Sequence, residues 1–285
     1  MRIEDDILRR IDVLDFPSPP AVVVQLSQLL SRPDVTAEEL AAVLSDDATI
    51  SARVLRLANS ALLGGATRVE SIEEAVLRVG LDVMRDVVYA LAMVGAMRPA
   101  HFDYRPFWRH SLAVAHTAQL LQARSMHLGS PFPETYAAGL LHDLGMLVFD
   151  RALGLHYHVV LDTAHASGRP LGEVEQELLG TDHARSGGHI LEAWHLPPVL
   201  VDSARFHHRP WASESVVTQF VYLADSICNH QGIHHGTGYC PALGESPVWT
   251  DLGIDRAGLP EIFTLVQAEL ARAEALLTAA ADSQY

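Results

Sequence analysis

The chain holds 16 histidines, and every one lies between His101 and His235. The most demanding is His142, which with Asp143 interrupts the apolar run Gly139-Leu-Leu-His-Asp-Leu-Gly145. Burying an imidazole beside a carboxylate is costly, and a bound metal ion is the usual compensation. His110 lies upstream, in Phe107-Trp-Arg-His-Ser111; Asp182-His183, His207-His208 and Asp225 follow downstream. The expected metal ligands are His110, His142, Asp143, His183, His207, His208 and Asp225, nitrogen and oxygen donors with no thiolate. Such a set suits iron, manganese, zinc or nickel, as one or two divalent ions or a di-iron-type centre.

Some of these residues have structural alternatives. Asp182 could cap the helix carrying His183. Asp225 could partner a core histidine, and the second of the adjacent His207 and His208 could orient rather than ligate. His116 and His189 each fall six residues after a candidate ligand, about 240° round a helix, and are excluded from the shared site. His156 and His158 read as surface residues, and His195 as a helix-end residue favoured by the dipole. The pair His234-His235, in a Gly-rich loop, could bind metal adventitiously but is expected to be idle. Arg109, Arg185 and Arg209 stand near the motifs and are the expected contacts for phosphate or another anion, since arginine binds it bidentately.

The elements that must position these residues are helical. Ile50, Val54, Leu57 and Ala58 share one helix face, as do Ile72, Ala75, Val76 and Val79. Thr36-Ala-Glu-Glu39 and Ser71-Ile-Glu-Glu74 read as capping boxes, and Gly80, Gly129, Gly168 and Gly180 as helix stops. Helices are expected at 3–14, 19–31, 37–45, 48–59, 71–79, 82–98 and 104–127. Others are expected at 134–150, 153–167, 170–179, 183–195, 198–207, 213–230 and 260–282. Asn59-Ser60 should end its helix, asparagine readily adopting left-handed backbone. No segment alternates with strand period, and 231–258 reads as the least structured stretch. The fold class is all-α: a histidine-free lobe over 1–100 and a histidine-loaded lobe over 101–285.

Composition narrows the chemistry. With 20 basic and 35 acidic residues in 285, the formal net charge is −15, unsuited to wrapping a phosphate backbone. All the basic residues are arginine, so Schiff-base, P-loop and kinase lysine chemistries are excluded. Cys228 and Cys240 cannot form a zinc ribbon; one disulfide is open to them, and a reducing compartment is the expectation. No signal-peptide run or transmembrane span is found. A soluble, cytoplasmic protein without nucleic-acid or membrane partners is expected.

The order His110, His142-Asp143, His183, His207-His208, Asp225 resembles the HD superfamily of metal-dependent phosphohydrolases, especially its HD-GYP branch. Further motifs narrow the likeness to the HDOD family, the HD-related output domain of bacterial signalling proteins. They are Phe16-Pro-Ser-Pro-Pro20, Leu44-Ser-Asp-Asp-Ala-Thr-Ile50, Val54-Leu-Arg-Leu-Ala-Asn-Ser-Ala61 and Ser71-Ile-Glu-Glu-Ala75, then Trp108-Arg-His-Ser111, Gly180-Thr-Asp-His-Ala184, Trp194-His-Leu-Pro197 and Phe206-His-His-Arg-Pro210. The resemblance implies an HD-like helical bundle with a helical N-terminal lobe, acting in signal transduction through a protein partner. Self-association as a homodimer is left open. Against the HD-GYP enzymes, Met146 stands where they carry a phosphate-binding lysine, Arg209-Pro-Trp211 follows the double histidine instead of Gly-Tyr-Pro, and Pro106 replaces a carboxylate. The metal shell is therefore expected with catalysis doubtful; the alternative is a phosphodiesterase acting on a cyclic dinucleotide or nucleotide. Any input signal is expected from another chain.

Overall fold

A computed structural model of the protein describes residues 18–30, 32, 35–45, 47–60, 68–126, 132–239 and 242–281. Among these residues there are helices and turns and no strand. The helix expected at 3–14, Gly129 and Cys240 lie outside them. The described residues group into two units, 18–97 with 271–281, and 98–270. No helix among them is long and apolar enough to cross a membrane.

The smaller unit contains α1 (Ala21–Leu30), α2 (Ala37–Ser45), α3 (Ala48–Ala58), α4 (Ile72–Val79) and α5 (Leu81–Ala96). Leu26, Leu40, Leu44, Val54, Met84 and Leu91 form its core. At α2 the capping box closes as expected: Glu39 N–H donates to Thr36 Oγ1 at 3.2 Å, and Thr36 N–H to Glu39 Oε2 at 3.0 Å. At α4 Ser71 takes the Glu74 amide, while the Glu74 carboxylate reaches one residue further back, to Glu70 N–H. Asn59 ends α3 with φ −95°, not in the left-handed region. Its amide instead bonds the Val69 backbone in both directions, tying Val69 to the end of α3.

The larger unit contains α6 (Tyr104–Arg124), α7 (Thr135–Leu141), α8 (Leu144–Leu153), α9 (Leu155–Ser167), α10 (Leu171–Leu179), α11 (His183–Ala193), α12 (Pro198–Phe206), α13 (Val216–His230) and α14 (Pro247–Asp251). The last helix, α15 (Leu259–Ala281), begins in this unit. Every residue of α7 is buried, as its all-round apolar sequence requires, with α6 and α13 packed against it. α8 packs on α11, and α11 on α12.

Two glycines set the spacing. A Cβ on Gly139 would lie 2.7 Å from Ala115 Cα, so α6 and α7 touch backbone to backbone. A Cβ on Gly145 would lie 1.9 Å from the His183 carbonyl oxygen, so the start of α11 is pressed onto the start of α8. That contact accompanies a departure from the expected 134–150 helix, which is two helices broken by a turn at His142-Asp143. The stretch 231–258 also carries more structure than expected, including α14 and a 3₁₀ turn at Arg256–Gly258.

Candidate metal centre

Asp143, 2 % exposed at the α7–α8 turn, is the hub. Its Oδ2 lies 3.1 Å from His142 Nε2 and 3.5 Å from His110 Nε2, which descends from α6. Its Oδ1 lies 3.3 Å from Nε2 of His183, the first residue of α11, and 3.4 Å from His207 Nε2, just past α12. Asp225 of α13 approaches the first side, with Oδ1 3.2 Å from His110 Nε2 and 3.9 Å from His142 Nε2. His208 closes the second side, its Nε2 2.9 Å from His183 Nε2. The sequence-predicted ligands are thus brought together, in two groups whose donor atoms lie within 4.8 Å: His110, His142 and Asp143, and His183, His207 and His208. Asp225 faces His110, as its structural alternative expected, and also accepts from Asn229 Nδ2–H at 2.6 Å.

The outward nitrogens explain the inward ones. Nδ1 of His110, His142 and His207 each lie 2.7 Å from a backbone carbonyl, of Ile233, Gly139 and Ala204. A carbonyl only accepts, so each Nδ1 carries a proton, and each ring in its neutral form turns a bare Nε2 inward. Those three Nε2 atoms are fully buried without a hydrogen-bond partner. Leaving three lone pairs buried beside two carboxylates is unfavourable unless a cation sits among them. The spacing agrees: atoms bound about 2.1 Å from one ion lie about 3.0 Å apart at right angles and about 4.2 Å when opposite. The residues present therefore fit a first-row divalent metal on either side of Asp143.

Without a cation, protons carry the compensation. Burial would depress His110, but the facing carboxylates of Asp143 and Asp225 outweigh it and raise it to about 10. Burial opposes ionisation of Asp143 as well, yet the surrounding histidines hold it well below the ordinary carboxylate range. His183, also buried, is raised well above its usual value by Glu175 and Asp143. Burial pushes His207 down.

Two contributors escaped the sequence reading. Glu175, fully buried on α10, accepts from His183 Nδ1 at 2.6 Å, from His183 N–H at 2.8 Å and from the Tyr157 hydroxyl. Its signal was present: with Leu171 and Val174 it occupies the i, i+3, i+4 apolar stripe of α10, where a charge is out of place. The second is His235, expected to be idle. Its side chain is 9 % exposed, and its Nε2 stands 3.9 Å from Asp143 Oδ2. Burial drives its pKa down to about 3, so the ring is neutral.

A cavity of about 840 Å³ opens onto Asp143, His183, His208, Asp225 and His235. Of the three arginines expected to contact an anion, only Arg209 lines it; Arg109 and Arg185 do not, and Arg169, unexpected, does. Arg169 is already engaged by Glu173 and Glu177. Met146 is fully buried in the core and lines no part of the cavity. Asp182 caps α11, accepting from Arg185 N–H at 2.9 Å. His116 stands apart, edge to face with Tyr136, their ring centroids 5.1 Å apart.

A family model of the HDOD domain matches residues 16–210. Among solved structures, an HDOD domain protein of unknown function from Geobacter sulfurreducens is 26 % identical; the match covers 96 % of this chain and 98 % of that one, with TM-score 0.79. A Shewanella amazonensis SB2B protein that carries the name of a phosphohydrolase is 28 % identical over 96 % of this chain and 98 % of that one, with TM-score 0.72. An uncharacterized protein of Treponema pallidum (strain Nichols) is 27 % identical over 214 residues, 75 % of this chain. The match spans only 41 % of that curated relative's length.

Proposed function

This chain belongs to the HDOD family, and from that premise we propose that it is a signal-transduction module that holds one or two metal ions and acts through a protein partner rather than by turnover. The observation that carries the reading is a division within the site. Every inward nitrogen and carboxylate needed for an ion is in place, but the groups that would grip a phosphate are not. The cavity wall carries Asp143, Glu173, Asp182 and Asp225 against Arg169 and Arg209, and Arg169 is neutralised by its two glutamates. Among the described residues of the wall, Arg209 alone is left to steady a transferring phosphoryl group, a task that needs fixed cations in register with the attacking water.

In this reading His110, His142, Asp143 and Asp225 would hold one ion, and His183, His207 and His208 another. Such ions supply a lowered water pKa and Lewis-acid polarisation of a bound oxygen. The chain's own residues orient the ligands, exclude water behind them and leave the 840 Å³ face open. Trp211, 72 % exposed two residues beyond Arg209, offers an aromatic of the kind that anchors protein partners.

The second reading, a phosphodiesterase for a cyclic dinucleotide or nucleotide, is favoured by that open cavity. The test loads purified protein with metal, measures metal content by elemental analysis, and incubates it with cyclic di-GMP beside a His142→Ala control. Metal bound by the wild type, lost in His142→Ala and unaccompanied by hydrolysis is the expected result. Turnover approaching the ~1 s⁻¹ of ordinary enzymes, absent in the control, would establish the phosphodiesterase instead.

A further inference from the structure

We propose that His235 is a metal ligand on the Oδ2 side of Asp143, delivered by the 231–239 segment, which acts as a strap that closes onto the site when the ion is bound. The proposal rests on the metal reading above and adds to it a ligand outside the helical bundle and a moving part.

Four observations carry it. His235 Nε2 faces Asp143 Oδ2 at 3.9 Å, inside the about 3.0–4.2 Å that two donors of one ion can span. Its ring stands at 90° to that of His110, with centroids 5.3 Å apart, so both rings border the same space. Its Nδ1 is buried and has no hydrogen-bond partner. No hydrogen bond at that nitrogen fixes the ring, so its orientation comes from the path of the strap, which brings Nε2 to the site.

The fourth observation is how the strap is tied. His110 Nδ1–H donates to the Ile233 carbonyl at 2.7 Å, so a ligand of the site also grips the strap two residues before His235. Two residues after it, the Thr237 carbonyl faces His165 Nδ1 of α9 at 3.2 Å. Ile233 and Thr237 are buried, and between and around them Gly232, Gly236 and Gly238 all have positive φ, backbone that lets the chain fold sharply over the site. Whatever fixes His110 thereby favours the closed strap, and the closed strap presents His235. Metal binding and strap closure are then linked equilibria, each stabilising the other. Because His235 also lines the cavity wall, closure sets how much of the metal face a second molecule can reach.

The test uses the full chain, stripped of metal and titrated with Co²⁺, in wild type, His235→Ala, His234→Ala and His142→Ala. His234 serves as the contrast, since its Nδ1 accepts from Gly236 N–H at 3.1 Å within the strap itself. Expected for His235→Ala are a fall in Co²⁺ affinity of about 10–100-fold at one ion and a changed cobalt absorption spectrum, while His234→Ala matches wild type. Hydrogen exchange supplies a measurement that needs no variant: amides of 232–239 should slow on Co²⁺ addition in wild type, and stay fast in His235→Ala. If Co²⁺ binds wild type, fails in His142→Ala, and binds His235→Ala with unchanged affinity and spectrum, the His235 proposal is overturned and the metal centre stands. If wild type and His142→Ala bind Co²⁺ equally weakly, the metal reading itself falls, and this proposal with it.

Discussion

Glu175 gives the sharpest test of the centre, because it touches no candidate ion and yet should govern one. Its carboxylate accepts three hydrogen bonds: from His183 N–H, from His183 Nδ1–H and from the Tyr157 hydroxyl. Removing it as Glu175→Ala would orphan three buried donors at about 1–3 kcal/mol each, a loss comparable to the whole stability of a domain. Glu175→Gln is the informative change. The amide oxygen can keep both donors of His183, and the Tyr157 hydroxyl can rotate to accept from the amide nitrogen. What is lost is charge: two bonds of about 1.5–3 kcal/mol become neutral ones of about 0.5–1.5 kcal/mol. The His183 ring is then held less firmly and is a poorer donor. A loss of about 1.4–2.8 kcal/mol corresponds to a 10–100-fold weaker ion on the His183, His207 and His208 side. The assay is competition of Co²⁺ or Zn²⁺ against a chelator of known affinity, read beside thermal melts of the metal-free protein. Tyr157→Phe should weaken the ion less, since the carboxylate and its bonds to His183 survive. If Glu175→Gln folds and binds both ions as tightly as wild type, the idea that this carboxylate positions His183 for metal is wrong.

Gly145→Ala should destabilise the fold by several kcal/mol and weaken metal binding, because its Cβ would need the space 1.9 Å from the His183 carbonyl oxygen; denaturant titration and metal content measured together would check it. His195 ends α11 at φ +57°, with Leu196 N–H bonded to the Leu191 carbonyl and His195 N–H to that of Glu192. His195→Gly should therefore raise stability by about 0.5–1 kcal/mol, and an unchanged or lower melting temperature would contradict the assignment. Metal-free protein should lose stability as pH rises from about 6.5 towards 10: His110 is held at about 10 in the fold, so its contribution is complete below the unfolded value and fades through the folded one. Melts in chelator should show that slope, and saturating metal, which displaces the proton, should flatten it.

Local patterns carried far in this chain because helices are local objects. The Thr36 capping box, the apolar stripes and the absence of strand period all report interactions within a turn or two, and the structure reproduces them. The pair His142-Asp143 was legible for a related reason: two polar side chains inside an apolar run have no local explanation. What the sequence alone could not decide depends on backbones meeting from far apart. Whether the helix runs through His142-Asp143 or breaks there depends on how α11 lies on Gly145, a contact across about forty residues. Glu175 stands on the apolar stripe of its helix, unlike its exposed neighbours Glu173 and Glu177, but which donors it meets was decided only where α9, carrying Tyr157, and the head of α11 enclose it. His235 is one of two adjacent histidines in a glycine-rich loop, and only the path of that loop, pinned by His110 and His165, aims it inward and leaves His234 outside. Residue type and spacing named the kind of chemistry available. The close approach of non-neighbouring backbones selected the side chains that face it, because the direction of a buried side chain is a property of the packed core and not of the segment that carries it.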